Sequence, residues 1–323
     1  MNLHTDKVAF LDAIRATSNA MNIKPHFVEK DYWLCLCLHK LVRLDAGQHA
    51  VFKGGTSLTK AYNIGSRFSE DLDIAIADAH LMTGNQLKTT IRRIAHGMTE
   101  GLEEVVKEGT SKGSHYHKAF YKYPTITNVP TSSSVRAGEM LLEISSFANP
   151  YPWQLRTIRS FIAEHLHQSG NDELINKYDL ADFEIPVLDY RRTLTEKLVS
   201  LMRCSLADKY MEQMNAKIRH FYDLHYLMQD EDCRAYIRSD EFLADFLALL
   251  EHDRQSFAKP DGWRERPLEA SPLVTDLPGT WKRLQLTYLR ELPDLAYRDV
   301  PPVEQVEASM NLIVSAITRT SIA

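Results

Sequence analysis

The stretch Phe52-Lys53-Gly54-Gly55-Thr56-Ser57-Leu58, followed by Ser69-Glu70-Asp71-Leu72-Asp73-Ile74, carries the decisive reading of this chain. The apolar run His49-Ala50-Val51-Phe52 reads as a short strand entering a Gly-Gly turn, and residues 57–62 read as a helix with Thr56 near its cap. Residues 72–77 read as a second strand. Side chains alternate faces along a strand, so Asp71 and Asp73 project to the same side. Two carboxylates at the start of an apolar strand repel each other unless a cation lies between them. Magnesium, a hard ion that takes one or two carboxylates plus phosphate oxygens, matches that donor set. Gly54 and Gly55 let the backbone approach an anion closely. Thr56 and Ser57 add hydroxyls at a helix start, where unsatisfied N–H groups favour phosphate. Lys53, Lys60 and Arg67 are the nearby cations. A phosphate turn and a carboxylate pair within reach of one cleft point to phosphoryl or nucleotidyl transfer.

Working outward, a third carboxylate would complete such a site, since two-ion transfer needs a further ligand on the side of the attacking hydroxyl. Glu143 is the candidate. It sits in Met140-Leu141-Leu142-Glu143-Ile144-Ser145, where apolar neighbours make a lone charge costly without a partner. A solvent-facing place on an edge strand is the bland alternative, and Glu139 is the alternative acid at the strand's start.

Helices are expected at the N-terminus after Thr5-Asp6 and over residues 26–44, the latter with Pro25 at its first turn and apolar residues around most of its surface. A long helix is expected over 86–106, and strands over 118–127 and 139–147. After Ile185-Pro186-Val187 helices dominate, over 192–205, 218–228, 240–253, 281–291 and 303–317. The proline-rich stretch 259–279 reads as a long surface loop. The fold class that follows is α+β. A mixed sheet flanked by helices occupies residues 1–185, and a helical domain occupies 186–323.

At these residues the chain resembles the AbiEii/AbiGii-type nucleotidyltransferase toxins, a branch of the DNA polymerase β-like nucleotidyltransferase superfamily. The resemblance rests on Glu29-Lys30-Asp31-Tyr32, on the Gly-Gly-Thr-Ser turn, on Lys60 and Tyr62, and on Arg67-Phe68-Ser69-Glu70-Asp71-Leu72-Asp73. It implies a nucleotidyltransferase-type sheet and transfer of a nucleoside monophosphate from a nucleoside triphosphate to an acceptor hydroxyl, with Mg2+ on Asp71, Asp73 and Glu143. It implies nucleotide binding by Gly54, Gly55, Thr56, Ser57, Lys60 and Arg67. It further implies two residues contributed to the cleft by the helical domain: Lys197, contacting phosphates, and Asp223, in Arg219-His220-Phe221-Tyr222-Asp223. His220 departs from the pattern, in which an aspartate is common. Without the family, Lys197 also reads as a solvated helical lysine, and Arg219 with Asp223 as an i,i+4 salt bridge. The implied acceptor is tRNA and the implied partner an antitoxin protein. Modification of a protein or small molecule, or nucleotide binding without catalysis, are the rival readings.

Composition narrows the classes further. With 44% hydrophobic and 25% charged residues, the 323-residue chain can bury a sizeable core. A net charge of −5 gives no global field drawing it to nucleic acid, so any RNA contact needs a local basic patch, for which Arg156, Arg159, Arg191, Arg192, Arg203 and Lys217 are candidates. Cys35, Cys37, Cys204 and Cys233 read as reduced thiols, and His115/His117 and His165/His167 as loop or surface histidines. No signal peptide and no apolar run long enough to span a bilayer is evident, so the expected location is cytoplasmic, with no membrane partner.

Overall fold

Asp6 caps the first helix, α1 (Lys7–Met21), by accepting a hydrogen bond from the Ala9 backbone. Helix α2 (Pro25–Leu41) carries Pro25 in its first turn and is buried on nearly every side, as its apolar periphery predicts. The structure, a computed structural model, describes residues 1–128 and 138–319. It is an α+β protein whose first compact unit comprises Met1–Asn63 with Phe68–Asp189, and whose second comprises Ile64–Arg67 with Tyr190–Ala323. The units therefore divide at 189/190. A cut at 185/186 would pass through a strand of the first unit's sheet.

In the first unit β1 (Ala50–Lys53) runs directly into α3 (Gly54–Tyr62), and β2 (Asp71–Ile76) follows. Next come α4 (Gly84–Met98), β3 (Glu103–Val105), β4 (Ser111–Lys112), β5 (Tyr116–Lys122), β6 (Glu139–Ser145) and β7 (Trp153–Ile158). The unit closes with α5 (Phe161–Gln168), α6 (Asp172–Lys177) and β8 (Phe183–Leu188). The sheet order is β3-β5-β6-β2-β1-β8-β7, with β4 also paired to β5. The pairs β2/β6 and β1/β8 are parallel and the remaining pairs antiparallel, which makes the sheet mixed.

Pleating divides this sheet chemically. Phe52, Leu72, Ile74, Ile76, Leu142 and Ile144 lie on one face and are fully buried, with α4 packed against β5 and β6. The opposite face carries Lys53, Asp71, Asp73, Glu143 and Lys118, all half-buried.

The expected helix over 86–106 ends earlier, at Met98. A capping box between Thr83 and Gln86 starts it, and Gly101, at φ +81°, turns the chain back into β3. Strands β7 and β8 were not expected. Pro186, which removes a donor, lies inside β8 opposite Leu155 and disguises it as a break.

The second unit is helical: α7 (Tyr190–Ser205), α8 (Tyr210–Asn215), α9 (Ile218–Leu227), α10 (Glu231–Tyr236), α11 (Asp240–Ser256), α12 (Pro272–Thr275), α13 (Leu277–Leu295) and α14 (Val303–Thr318). The stretch 259–279 is not a surface loop along its length. Trp263 and Leu273 are fully buried, the Trp263 indole N–H donates to the Phe257 carbonyl, and α12 and the start of α13 fall within it.

Candidate active site

Register across the sheet assembles the site. Asp73 lies beside Glu143 in the parallel β2/β6 pair and beside Lys53 in the antiparallel β1/β2 pair, while Glu143 lies beside Lys118 in the β5/β6 pair. Neighbouring strands are about 4.8 Å apart, so Lys118, Glu143, Asp73 and Lys53 form one transverse row. Asp71, two residues before Asp73, lies on the same face, one row along, beside Leu141. The Lys118 ammonium contacts Glu143 Oε1 at 2.7 Å. The Tyr116 hydroxyl also hydrogen-bonds Glu143, and burial, reinforced by Glu143 and Asp73, raises its pKa above the ordinary phenol range.

The Gly-Gly turn fits this row closely. Gly54 has φ +82°, a conformation that favours glycine, and a Cβ there would collide with the Asp73 carboxylate. The glycine thus serves both a backbone turn and a seat for the acid. Helix α3 begins at Gly54, earlier than expected, so Thr56 is not its cap. Thr56 Oγ1 donates to the Asp71 carbonyl at 2.5 Å and Ser57 Oγ donates to the Gly54 carbonyl at 2.9 Å. Both residues are buried; the Thr56 hydroxyl ties the turn to the acid-bearing strand, and the Ser57 hydroxyl closes the turn on itself.

The donor set on this face is all carboxylate oxygen, half-exposed and of one sign, which suits a hard divalent ion completing its shell with phosphate oxygens. Among the described residues no group of three or more His, Cys, Asp and Glu side chains is gathered tightly enough to hold a metal ion. One oxygen of Glu143 is engaged by Lys118.

Several residues of the predicted set and of the α2 motif have partners within the protein. The Lys60 ammonium pairs with Asp31 at 2.7 Å and lies 4.3 Å from the centre of the Phe161 ring, in a buried setting. Asp31 also accepts from the backbone N–H of Phe161 at the start of α5. Lys30 pairs with Glu70 at 2.8 Å, both side chains almost wholly buried. The Glu29 carboxylate accepts from the backbone N–H groups of Ile126 and Thr127 and from the Thr125 hydroxyl. The Glu-Lys-Asp run of α2 is thus tied to other parts of the first unit.

In the helical unit, Arg67 makes a bidentate pair with Asp223, both contacts 2.7 Å, and Lys197 adds a third at 2.8 Å. Burial alone would raise the Asp223 pKa, but the two cations together hold it well below the ordinary carboxylate range. Asp223 positions Arg67 and Lys197. Beside them His220 is kept neutral, its pKa depressed by burial and by Lys197 and Lys217, and its Nδ1 has no hydrogen-bond partner among the described residues.

Other expectations resolve residue by residue. His117 is buried on β5 rather than on a loop, with Nε2 3.2 Å from the Tyr121 hydroxyl, and His165 and His167 lie on α5. His117 and Tyr121 line a cavity of about 460 Å³ with Arg92, His96, Glu104 and Lys112. His117 and Tyr121 project from β5 to the side opposite Lys118, so this cavity is not the carboxylate site. Three arginines proposed for RNA are engaged: Arg156 over the Tyr62 ring, Arg159 with Asp182, and Arg203 with Asp253. None of the four cysteines forms a disulfide, and all four are buried. No helix among the described residues is long and apolar enough to cross a membrane. Sequence reading missed Lys118 and Tyr116. The signal was there in outline, since a strand antiparallel to that of Glu143 had to bring some side chain opposite it, but the register was not legible.

A mixed sheet carrying paired carboxylates next to a Gly-Gly turn is the arrangement of a nucleotidyltransferase. The sequence profile of the nucleotidyl transferase AbiEii toxin family, of type IV toxin–antitoxin systems, matches residues 37–308, and the chain belongs to that family. It is a nucleotidyltransferase of the toxin class. Among solved structures, it is similar to MenT4, the nucleotidyltransferase toxin Rv2826c from Mycobacterium tuberculosis H37Rv. That likeness has 15% identity over 93% of this chain and 98% of that one, with a TM-score of 0.50. A putative nucleotidyltransferase from H. pylori matches at 18% identity, 79% and 92% coverage and a TM-score of 0.36. JHP933 from Helicobacter pylori matches at 15%, 88% and 92%, and 0.30. No curated protein sequence matches the chain.

Proposed function

We propose that the chain transfers a nucleoside monophosphate from a nucleoside triphosphate to a hydroxyl of tRNA, using magnesium held by Asp71 and Asp73, as a cytoplasmic toxin with a cognate antitoxin and a role in phage defence. The observation that carries the chemistry is the row Glu143–Asp73 on one sheet face, with Asp71 beside it and Gly54 shaped around the Asp73 carboxylate. The tRNA acceptor follows from the family resemblance.

Asp71 and Asp73, on a single strand face, would hold the metal. When bound, the ion neutralises charge on the phosphates of the triphosphate. Gly54 and Gly55 let the backbone come close to those phosphates, and the first turn of α3 directs its N–H dipoles toward them. Glu143 accepts the proton of the attacking hydroxyl or completes the metal's ligands. Most of the catalysis comes from positioning and electrostatics, because phosphoryl-type transfer asks little covalent chemistry of a protein.

The test is incubation of the purified chain with each labelled nucleoside triphosphate, Mg2+ and total tRNA. Label on tRNA that disappears with Asp71→Asn supports the reading. Label on protein or a small molecule would move the acceptor elsewhere. Nucleotide binding with no transfer to any acceptor, or transfer that survives Asp71→Asn, would overturn it.

A further inference from the structure

The two ends of the sheet differ. At one end β3 is three residues long and carries Glu103 and Glu104, and both brevity and charge blunt a sheet edge. At the other, β7 runs from Trp153 to Ile158, pairs only with β8 among the described residues, and has Arg156 as its single charged residue. That guanidinium is drawn onto the Tyr62 ring, 4.8 Å from its centre. Backbone groups along an edge strand point alternately toward its neighbour and away from it. The Asp189 N–H donates to the Pro152 carbonyl at 3.0 Å, which continues the β7/β8 ladder by one pair and makes it a bonded one. Two and four residues on, Gln154 and Arg156 therefore face β8. Pro186, which has no N–H to give, lies opposite Leu155 in agreement with this alternation. Trp153, Leu155 and Thr157 thus direct their N–H and C=O groups away from β8, where no backbone partner meets them among the described residues. The side chains of these three residues are also exposed, Trp153 by 45% and Leu155 by 56%.

We propose that β7 is a self-association surface, on which a second copy of this chain adds its own β7 antiparallel about a two-fold axis at Leu155. The strand is complementary to itself in that register. Opposed residues of an antiparallel pair share a sheet face, and their outward groups bond only when outward residue meets outward residue. With Leu155 opposite its own copy, Trp153 meets the second copy's Thr157 and Thr157 meets its Trp153, so every outward N–H and C=O of the strand is paired. The exposed tryptophan and leucine side chains then cover one another across the join, and Gln154, not a like charge, stands opposite Arg156. Centring the pair on Arg156 instead would set two guanidinium groups against each other and leave Trp153 beyond the end of its partner. A closed two-fold pairing of this kind uses the edge once and leaves none for a third chain.

A single strand pairing is a small interface, so the dimer should form with a Kd on the order of tens of micromolar in sedimentation equilibrium of the full chain. Leu155→Lys sets like charges opposite each other at the axis, and Thr157→Pro removes a donor from the free edge without touching the β7/β8 ladder. Each should weaken association at least about tenfold, with an unchanged melting curve. Register is read separately. Opposed bonded residues have Cα atoms about 5.5 Å apart, so Leu155→Cys should join two copies through a short bismaleimide. The native cysteines are buried, and Leu247→Cys, at an exposed position on α11, should give no such product. A chain that stays monomeric at several times the expected Kd would overturn the proposal and leave the edge to a different protein. A dimer that both substitutions leave intact, or cross-linking as strong from Leu247→Cys as from Leu155→Cys, would overturn it as well.

Discussion

Two acidic clusters in this protein use the same residue types to opposite ends. On the open face of the sheet, Asp71, Asp73 and Glu143 are half-buried and of like sign. In the helical unit, Asp223 is only 5% exposed, and both of its oxygens are engaged by Arg67 and Lys197. A carboxylate whose oxygens are saturated inside the protein holds cations in position. One half-exposed beside other carboxylates at a glycine turn suits a cation arriving from solution. The difference teaches that acidity alone does not mark chemistry. What marks it is whether the acids are buried against cations or gathered half-exposed beside one another.

The sharpest way to break this contrast is to neutralise one acid of each kind. Asp73→Asn should reduce nucleotidyl transfer roughly a thousandfold, the scale of losing a principal electrostatic contact in a preorganised site. It should leave the thermal midpoint close to wild type, since the repulsion from Glu143 and the attraction of Lys53 beside it are lost together. Radiolabel transfer and a melting curve on the same preparation decide it. A variant that melts early would make Asp73 a structural acid like Asp223.

Asp223→Ala should do the reverse. It strands two buried cations, and breaking a buried ion pair from one side costs about 3–5 kcal/mol of folding stability. A urea titration should show the midpoint falling sharply with an unchanged slope. The double substitution of Asp223 and Lys197 by apolar residues should recover part of the loss, because one stranded charge goes with it. A midpoint within error of wild type would show that the Arg67–Asp223–Lys197 cluster carries no stability.

How far these roles were legible in sequence follows the same line. The phosphate turn, the alternation that puts Asp71 and Asp73 on one face, and the helices of the second unit depend on local spacing, which a sequence displays. Glu143 could be chosen because a lone charge in an apolar strand demands an explanation. Lys60 and Arg67 could not be sorted in advance. Asp31, 29 residues before Lys60, and Asp223, 156 residues after Arg67, reach them only through the fold. Lys118 stayed hidden for the same reason, since pairing register between distant strands is not written in either strand alone. Strand β8 was lost to a local signal that tertiary pairing overrode, namely Pro186.

Gly54→Ala links the two kinds of loss in one residue. At φ +82° an alanine is strained by about 1–2 kcal/mol, and its methyl would displace the Asp73 carboxylate. Both stability and transfer should therefore drop, the transfer more than the strain accounts for, as read by parallel melting and rate measurements. Gly101, also at positive φ (+81°) but with open space around its Cβ position, is the control. Gly101→Ala should show the stability loss alone. Equal effects on rate at the two glycines would break the link between the turn and the acid.

The gentlest probe is acid. Burial, aided by Lys24 and Lys30, lowers the pKa of His26 to about 4, and burial, aided by the N-terminal ammonium and Arg43, lowers that of His39 to about 4. Each folded-state value lies below the ordinary 6.5, so the unfolded chain takes up these protons first. Their contribution is complete above pH 6.5 and is lost as pH falls toward 4. Asp223 acts lower. Its depressed folded pKa gives stability that is present above the ordinary carboxylate range, near about 3.9, and is lost as pH falls through the folded value. Urea midpoints measured from pH 7.5 downward should thus decline in two stages. The double variant His26→Gln, His39→Gln should flatten the first stage, and Asp223→Asn the second. A profile flat from pH 6.5 to 4 would show that burying the two imidazoles costs nothing on protonation.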